Sequence, residues 1–255
     1  MNYTNVVEEP ILYDIFNDDC HEDILMYRNM CKEFNNIMEF GIGTGRIAIP
    51  LALDGKQIIG IDKSKKMIER LTDKLKKNNV SEKIEIINQD FRFLDINKNV
   101  DCAIIGFCTF NYLLTIEDQL LALRAINSCL NNNATIIFDI FVKSTFKELF
   151  SCNEKIYIRK TKFDNQDVKI YRKTDFEQNG QLIHQKRYFE FYDNEGQLVK
   201  ERKVLMTNRF FFFGEFELLM KMSGYKIVNI YGNYNLNSFD NNSNEMIVVA
   251  TKCDR

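Results

Sequence analysis

The chain predicts an α/β fold: a mostly parallel sheet covered by helices on both faces and interrupted late by an antiparallel meander. Three observations carry this. Between residues 36 and 141, short apolar runs alternate with helical periodicities, the grammar of a parallel sheet. The first run leads into a turn with three glycines in five positions, Gly41, Gly43 and Gly45. After Phe141 the pattern becomes polar–apolar alternation broken by turn residues, which reads as antiparallel hairpins.

Each element has its own signal. Residues 11 to 35 place Ile11, Ile15, Ile24, Leu25 and Met26 at helical spacing among acids, giving one or two helices. NIMEF (36–40) is a short buried strand. The glycine loop then opens a helix, RIAIPLALDG (46–55), in which Pro50 is tolerable only near the first turn. KQIIGID (56–62) is the next strand. The following helix (64–79) is capped by Ser64, shows Met67, Ile68, Leu71 and Leu75 on one face and ends in asparagines. Strands at 83–91 and 100–108, a helix at 116–130 and a strand at 133–141 complete the alternation. The segments 154–163, 168–177, 182–193 and 197–213 make a four-stranded meander, with NQD, QNGQ and NEGQ as its turns. A helix (214–225) and two strands (225–232 and 245–252) close the chain. The expected organisation is an N-terminal helical lid (1–35), an α/β domain (36–150 and 214–255) and an antiparallel β insert (151–213).

Composition limits the function. A chain of 255 residues with 27% charged residues and a formal net charge of −2 lacks the basic surplus that attracts nucleic acid or an anionic membrane. No apolar run is long enough to span a bilayer, and the polar, acidic start has no signal-peptide pattern; a cytoplasmic protein is expected. The seven cysteines are scattered and read as reduced thiols, and two histidines, His21 and His184, are too few for a multi-histidine metal site.

The chemistry concentrates in EFGIGTGRIAIPLALDGKQIIGID, Glu39 to Asp62. A glycine turn lets backbone approach a ligand closely, and an acid closing the next strand accepts from two ribose hydroxyls. Gly41 and Asp62 lie 21 positions apart, as in a dinucleotide fingerprint, but the sixth place is Arg46 rather than glycine. Glu39, two places before the first glycine, suits a ligand bearing an ammonium better than one bearing a diphosphate.

The segment Glu39–Phe40–Gly41–Ile42–Gly43–Thr44–Gly45 resembles the first motif of class I S-adenosylmethionine-dependent methyltransferases. The resemblance runs on through Asp62, Gln89–Asp90–Phe91, Asp101 to Tyr112 and Phe138–Asp139–Ile140, and through the later half to Lys252. It is closest to the small-molecule branch, which includes N-methyltransferases of amino sugars and amino acids. It implies a Rossmann-like seven-stranded sheet, S-adenosyl-L-methionine as cofactor and S-adenosyl-L-homocysteine as product. Asp62 would hold the ribose, with Lys63 and Met67 beside it. Asp90 and Phe91 would meet the adenine, while Phe107 and Cys108 would lie along the methionine part. Tyr13 would reach the cofactor carboxylate, for which His21 and Arg28 are weak basic stand-ins. The usual proline and glycines before the fifth strand are replaced by Asn131–Asn132–Asn133, and asparagine tolerates the left-handed conformation.

The expected activity is methyl transfer to a small-molecule acceptor, at an amine nitrogen, by positioning and desolvation. His184 is the candidate base, though a half-buried structural histidine is the plainer reading. Tyr112, with Phe110, Tyr188 and Phe210, offers aromatic faces to cationic groups. Arg209 either binds a substrate carboxylate or pairs with Glu215. The alternatives are methylation of a small hydroxyl or phenol, a nicotinamide-dependent oxidoreductase, and a non-enzymatic cofactor-binding accessory protein. The nucleic-acid branches resembled are excluded by Phe107–Cys108–Thr109–Phe110, which has neither the Pro-Pro-aromatic nor the Pro-Cys signature. No nucleic acid or membrane partner is expected, and the chain is expected as a monomer or homodimer.

Overall fold

The computed structural model describes residues 3–142, 154–177 and 181–253. The expected boundary at 150/151, Cys152 and most of the QNGQ turn lie outside them. In chain order the elements begin with β1 (Thr4–Asn5), α1 (Pro10–Asn17), α2 (Glu22–Met30), β2 (Asn36–Phe40), α3 (Ala48–Leu53) and β3 (Gln57–Asp62). There follow α4 (Lys65–Asn78), β4 (Ile84–Asn88), β5 (Val100–Ile105), α5 (Ile116–Ser128) and β6 (Leu130–Phe141). The last are β7 (Ile156–Phe163), β8 (Gln166–Glu177), β9 (Leu182–Tyr192), β10 (Leu198–Arg209), α6 (Phe213–Met222), β11 (Tyr225–Tyr231) and β12 (Glu245–Lys252).

Seven strands form one sheet in the order β11-β12-β6-β5-β2-β3-β4, and five form another in the order β1-β10-β9-β8-β7. In the larger sheet β2 to β6 run parallel, and the closing pair is antiparallel. The order reverses at β2, whose neighbours are β3 and β5. At such a switch point a ligand meets the carboxyl ends of the strands. The apolar run of β6 feeds both faces, Ile136, Phe138 and Ile140 on one and Ile137 on the other, as a sheet covered on both sides requires. One face packs Phe40, Phe110, Phe138 and Phe216, and the other packs Tyr27, Ile37, Ile47 and Ile104.

Three local readings change. The helix after the glycine loop starts at Ala48, not Arg46, because Gly45 at φ +79° cannot be helical. Pro50 therefore falls in the first turn, where its missing N–H has no helical acceptor to lose. The last meander strand ends at Arg209, and Phe213 already opens α6. Phe210 and Phe211 are buried, whereas Phe212 is 49% exposed; the run turns a corner instead of extending a strand. Asn131–Asn133 lies inside β6, with Asn133 at φ +60°. The N-terminus also adds an unforeseen parallel strand, Thr4↔Val204 and Asn5↔Leu205, too short to leave a periodic signal.

Phe110, Phe138, Phe211 and Phe216 meet at ring centroid distances of 5.3 to 5.8 Å. Phe216→Ala, remote from the glycine loop, is expected to cost about 3–5 kcal/mol. A urea unfolding midpoint that moves by less than about 1 kcal/mol equivalent would show that these rings do not form a shared core.

Candidate active site at the glycine loop

The loop leaving β2 is drawn onto β3: the N–H groups of Gly41 and Ile42 both donate to the Ile61 carbonyl, at 2.7 and 3.0 Å. Gly41 has φ +77°, and a Cβ there would lie 2.4 Å from Thr109 Cγ2. Around Gly43 a Cβ would meet only the Gly41 carbonyl, at 3.9 Å, so its surroundings stay open. Gly45 closes the loop against Leu71 of α4.

Asp62 terminates β3 and accepts from two backbone donors, Gly43 N–H at 2.8 Å and Ser64 N–H at 2.8 Å. Burial raises its pKa, and those two hydrogen bonds work against the rise. Ser64 caps α4 by accepting from Met67 N–H at 3.3 Å and donates to the Val7 carbonyl at 2.9 Å. This places Met67 below the loop, buried, and Lys63 outside it, exposed. Asp14 of α1 binds the loop from above, accepting from Thr44 Oγ1 at 2.7 Å and Arg70 Nε at 2.8 Å.

At the next strand end, Phe91 packs edge-on against Phe40 at 6.0 Å. Asp90 is already engaged by Arg92, through Nε at 3.0 Å and Nη2 at 2.7 Å. Burial pushes the Asp90 carboxyl up, but these bonds and Lys63 bring it down to about 2.

Glu39 is 3% exposed, and its Oε2 has no hydrogen-bond partner among the described residues. Burial pushes its pKa well above the carboxylate range, with Arg46 opposing and Asp62 adding to the rise. Arg46, beyond β2, is a half-buried basic residue that the sequence reading did not assign to this site. It stacks 4.0 Å from the Phe107 ring centre, donates from Nη2 to Asp23 Oδ1 and the Cys20 carbonyl, both at 2.7 Å, and leaves Nε unpaired. Its only trace in the sequence was a glycine position filled by arginine. The stand-ins lie elsewhere: Arg28 pairs with Asp54, and His21 is exposed at the start of α2.

Phe107 and Cys108 carry φ of 48° and 59°. Two successive non-glycine residues in this region store on the order of 1–3 kcal/mol each. The turn they make aims Phe107 at Arg46 and Tyr13, the latter edge-on at 6.4 Å. Burial pushes the Tyr13 hydroxyl far above its ordinary pKa, with Arg46 opposing. Tyr112 ends the short helical turn Thr109–Tyr112; burial, opposed by Arg187, pushes it up to about 12.

His184 sits on the outer face of the smaller sheet, hydrogen-bonded to Thr207 at 3.0 Å and 3.9 Å from Glu177. Its neighbours in sequence, Gln185 and Arg187, occupy the buried face, so strand alternation turns the candidate base away. Tyr188 is likewise outside, bonded to Tyr3 at 2.9 Å. Arg209 pairs with Glu215 at 2.6 Å and also donates to Gln181; of its two readings, the geometry realises the ion pair.

A further carboxyl was not foreseen in this role. Asp139 of β6 is fully buried; its Oδ2 accepts from Tyr234 at 3.1 Å, and its Oδ1 has no partner among the described residues. Burial first, and then the charge of Asp23, push its pKa up to about 7.

Residues 37–133 match the profile of the methyltransferase domain family. The chain shares its fold with solved methyltransferases. It is similar to a solved S-adenosylmethionine-dependent methyltransferase from Clostridium acetobutylicum, with a TM-score of 0.79, 19% identity and coverage of 97% of this chain and 98% of that one. A sugar N-methyltransferase from Streptoalloteichus superposes with a TM-score of 0.73 at 13% identity, covering 95% and 93%. An uncharacterized methyltransferase of Bacillus mycoides is 29% identical over 121 residues, 48% of this chain. The match spans about half the length of that curated relative, 51%. Within this methyltransferase fold the glycine loop, Glu39 and Asp62 all stand at the carboxyl ends of β2 and β3.

Asp139 yields a stability prediction whose sign follows from its raised pKa. Below the ordinary carboxylate range both folded and unfolded states are protonated, and the group contributes nothing. As pH rises, the unfolded chain alone loses the proton, so stability falls until about pH 7, where the folded group also ionises. Asp139→Asn, which retains an acceptor for Tyr234, is expected to gain melting temperature relative to the parent between about pH 5 and 8. A constant difference across thermal melts in that range would refute this.

Proposed function

We propose that this protein is an S-adenosylmethionine-dependent methyltransferase acting on a small molecule at an amine nitrogen. The observation carrying the cofactor is the orphaned Glu39 Oε2, a buried acceptor matched by an ammonium group. Asp62 keeps lone pairs free beyond its two backbone bonds, beside the open space at Gly43, and these suit ribose hydroxyls. Glu39 Oε2, an acceptor at this loop, offers a diphosphate no donor, and Arg46 is held by Asp23; both facts weigh against a nicotinamide dinucleotide.

When bound, the cofactor supplies a methyl group made electrophilic by its sulfonium. The chain does the holding. Tyr13 and the free Nε of Arg46 would take the carboxylate end, Phe107 would cover the methionine chain, and Phe91 with Asp90 would meet the adenine, flanked by Lys63 and Met67. The smaller sheet, with α1 and α2 as a lid, would cover the acceptor and exclude water, consistent with an insert over the pocket. Positioning of this kind supplies up to about 7–11 kcal/mol of barrier reduction.

Nitrogen is preferred to oxygen because a hydroxyl acceptor needs a base. His184 faces outward, and Tyr112, its pKa raised to about 12, stays protonated at neutral pH. An uncharged amine already has its lone pair. Its likeness in fold to a sugar N-methyltransferase agrees with this choice.

Calorimetry with S-adenosylhomocysteine is the first test. Asp62→Ala is expected to weaken binding by about 1–3 kcal/mol, the cost of unpaired buried groups. Unchanged affinity would mean that the ribose lies elsewhere, and heat with NADH alone would favour an oxidoreductase. Incubation with S-adenosylmethionine and a panel of small amines, read by mass spectrometry, is expected to give a product one methyl heavier. Tight cofactor binding with no product from any amine or hydroxyl would leave an accessory protein.

A further inference from the structure

The buried face of the smaller sheet carries a charge arrangement that the methyl-transfer reading does not use. Arg172 on β8 and Arg187 on β9 are direct cross-strand partners on the side that faces α1. Arg187 is 8% exposed and Arg172 half-buried. Like charges directly opposite each other destabilise a sheet, and a buried cation is costly without a counter-charge. Every other buried or half-buried arginine among the described residues meets a carboxylate: Arg46 with Asp23, Arg70 with Asp14, Arg92 with Asp90, Arg159 with Asp18, Arg209 with Glu215. Of the buried and half-buried arginines, only Arg172 and Arg187 have no ion pair with a described residue.

The surrounding polar atoms are equally unsatisfied. Arg172 Nε, Arg187 Nε and Thr174 Oγ1 are buried without hydrogen-bond partners among the described residues, and the buried Asn208 has the Tyr112 hydroxyl beside its amide. These four residues lie on the same face of β8, β9 and β10. Arg187 rests 3.4 Å over the Phe16 ring and donates from Nη2 to Gln185 at 3.3 Å. The ring holds the guanidinium plane, yet it cannot accept the in-plane Nε–H. Burial depresses the Arg187 pKa to about 10, and Arg172 depresses it further, against Tyr112 and Tyr13. A positive charge paired with an incoming anion would relieve this. Tyr13 and Tyr112 pack beside this face, and Tyr13 meets Phe107, which lies under Arg46.

We propose that Arg172 and Arg187, with Thr174 and Asn208 beside them, form an oxyanion subsite that grips a carboxylate or phosphate group of the acceptor. Paired guanidiniums present in-plane N–H donors that match either group. Asn208 offers both a donor and an acceptor for a neighbouring polar substituent. The acceptor is then an amine carrying an acidic group at its far end, bound with the amine toward Tyr112 and Tyr13. Assigning the anion to the acceptor rests on the methyl-transfer reading; anion binding itself does not.

The test reads the anion directly. Full-length protein labelled with 15N-arginine is titrated with inorganic phosphate and, separately, with acetate, with sodium chloride at equal ionic strength as the control. The Nε–H signals of Arg172 and Arg187 are expected to move saturably with at least one oxyanion and not with chloride. Phosphate alone would indicate a phosphorylated acceptor, acetate alone a carboxylated one, and a response to both a subsite tolerant of either. Arg172→Gln, at a half-exposed position, and Arg187→Met are each expected to weaken the response at least about tenfold, while Arg124→Gln on the surface of α5 leaves it unchanged. Signals still under either oxyanion, moving equally with chloride, or unaffected by Arg172→Gln would overturn the subsite. Calorimetry of the same samples with S-adenosylhomocysteine separates the two readings. Absent cofactor heat with a normal phosphate or acetate response would defeat the methyltransferase proposal and leave the anion site standing.

Discussion

The carboxylate of Asp62 bridges two chain segments that the rest of the site depends on. By accepting from Gly43 and Ser64, it fixes the glycine loop against the end of β3 and sets the first turn of α4. A half-buried carboxylate holding two backbone N–H groups is worth more than an exposed ion pair, because both donors would otherwise lose water without replacement. Ser64 passes the constraint on to Val7, and Asp14 fastens α1 to Thr44 and Arg70. The N-terminal segment is thus tied to the loop and to α4 by hydrogen bonds as well as by packing.

A second constraint is the strained turn at Phe107 and Cys108. The left-handed pair lets Phe107 reach under Arg46 while Thr109 fits against Gly41, contacts that an ordinary strand end would not make. Around this turn, groups with unmet hydrogen bonding gather on one side of the large sheet: Glu39 Oε2, Arg46 Nε, Tyr27 Oη and Asp139 Oδ1. Such groups cost stability in an apolar interior. A ligand able to satisfy several at once gains binding energy from the same defect.

Much of the fold was legible because apolar periodicity survives in single segments. Met67, Leu71 and Leu75 mark the buried face of α4, and Asn79 closes it at φ +56°. The glycine loop and Asp62 were legible for a different reason: backbone geometry restricts which residues can stand there. Arg46, Asp23 and Asp139 were not legible as one cluster, because they come from α2, the loop and β6, and nothing local marks their meeting. His184 shows the opposite failure. Its residue type suggested chemistry, but one step of strand alternation places it outside and Arg187 inside.

The sequence by itself determined the order of elements after β1, the glycine turn into α3, the acid closing β3 and the change to antiparallel pairing after Phe141. Each of these is written in spacing along a few neighbouring residues, where sterics and periodicity act. Only the tertiary structure decided which charges are paired. It joined Arg46 to Asp23 and Arg209 to Glu215, and it left Arg172 facing Arg187 and Glu39 with an empty oxygen. Ion pairing and desolvation depend on distances between segments far apart in the chain, which no local pattern records.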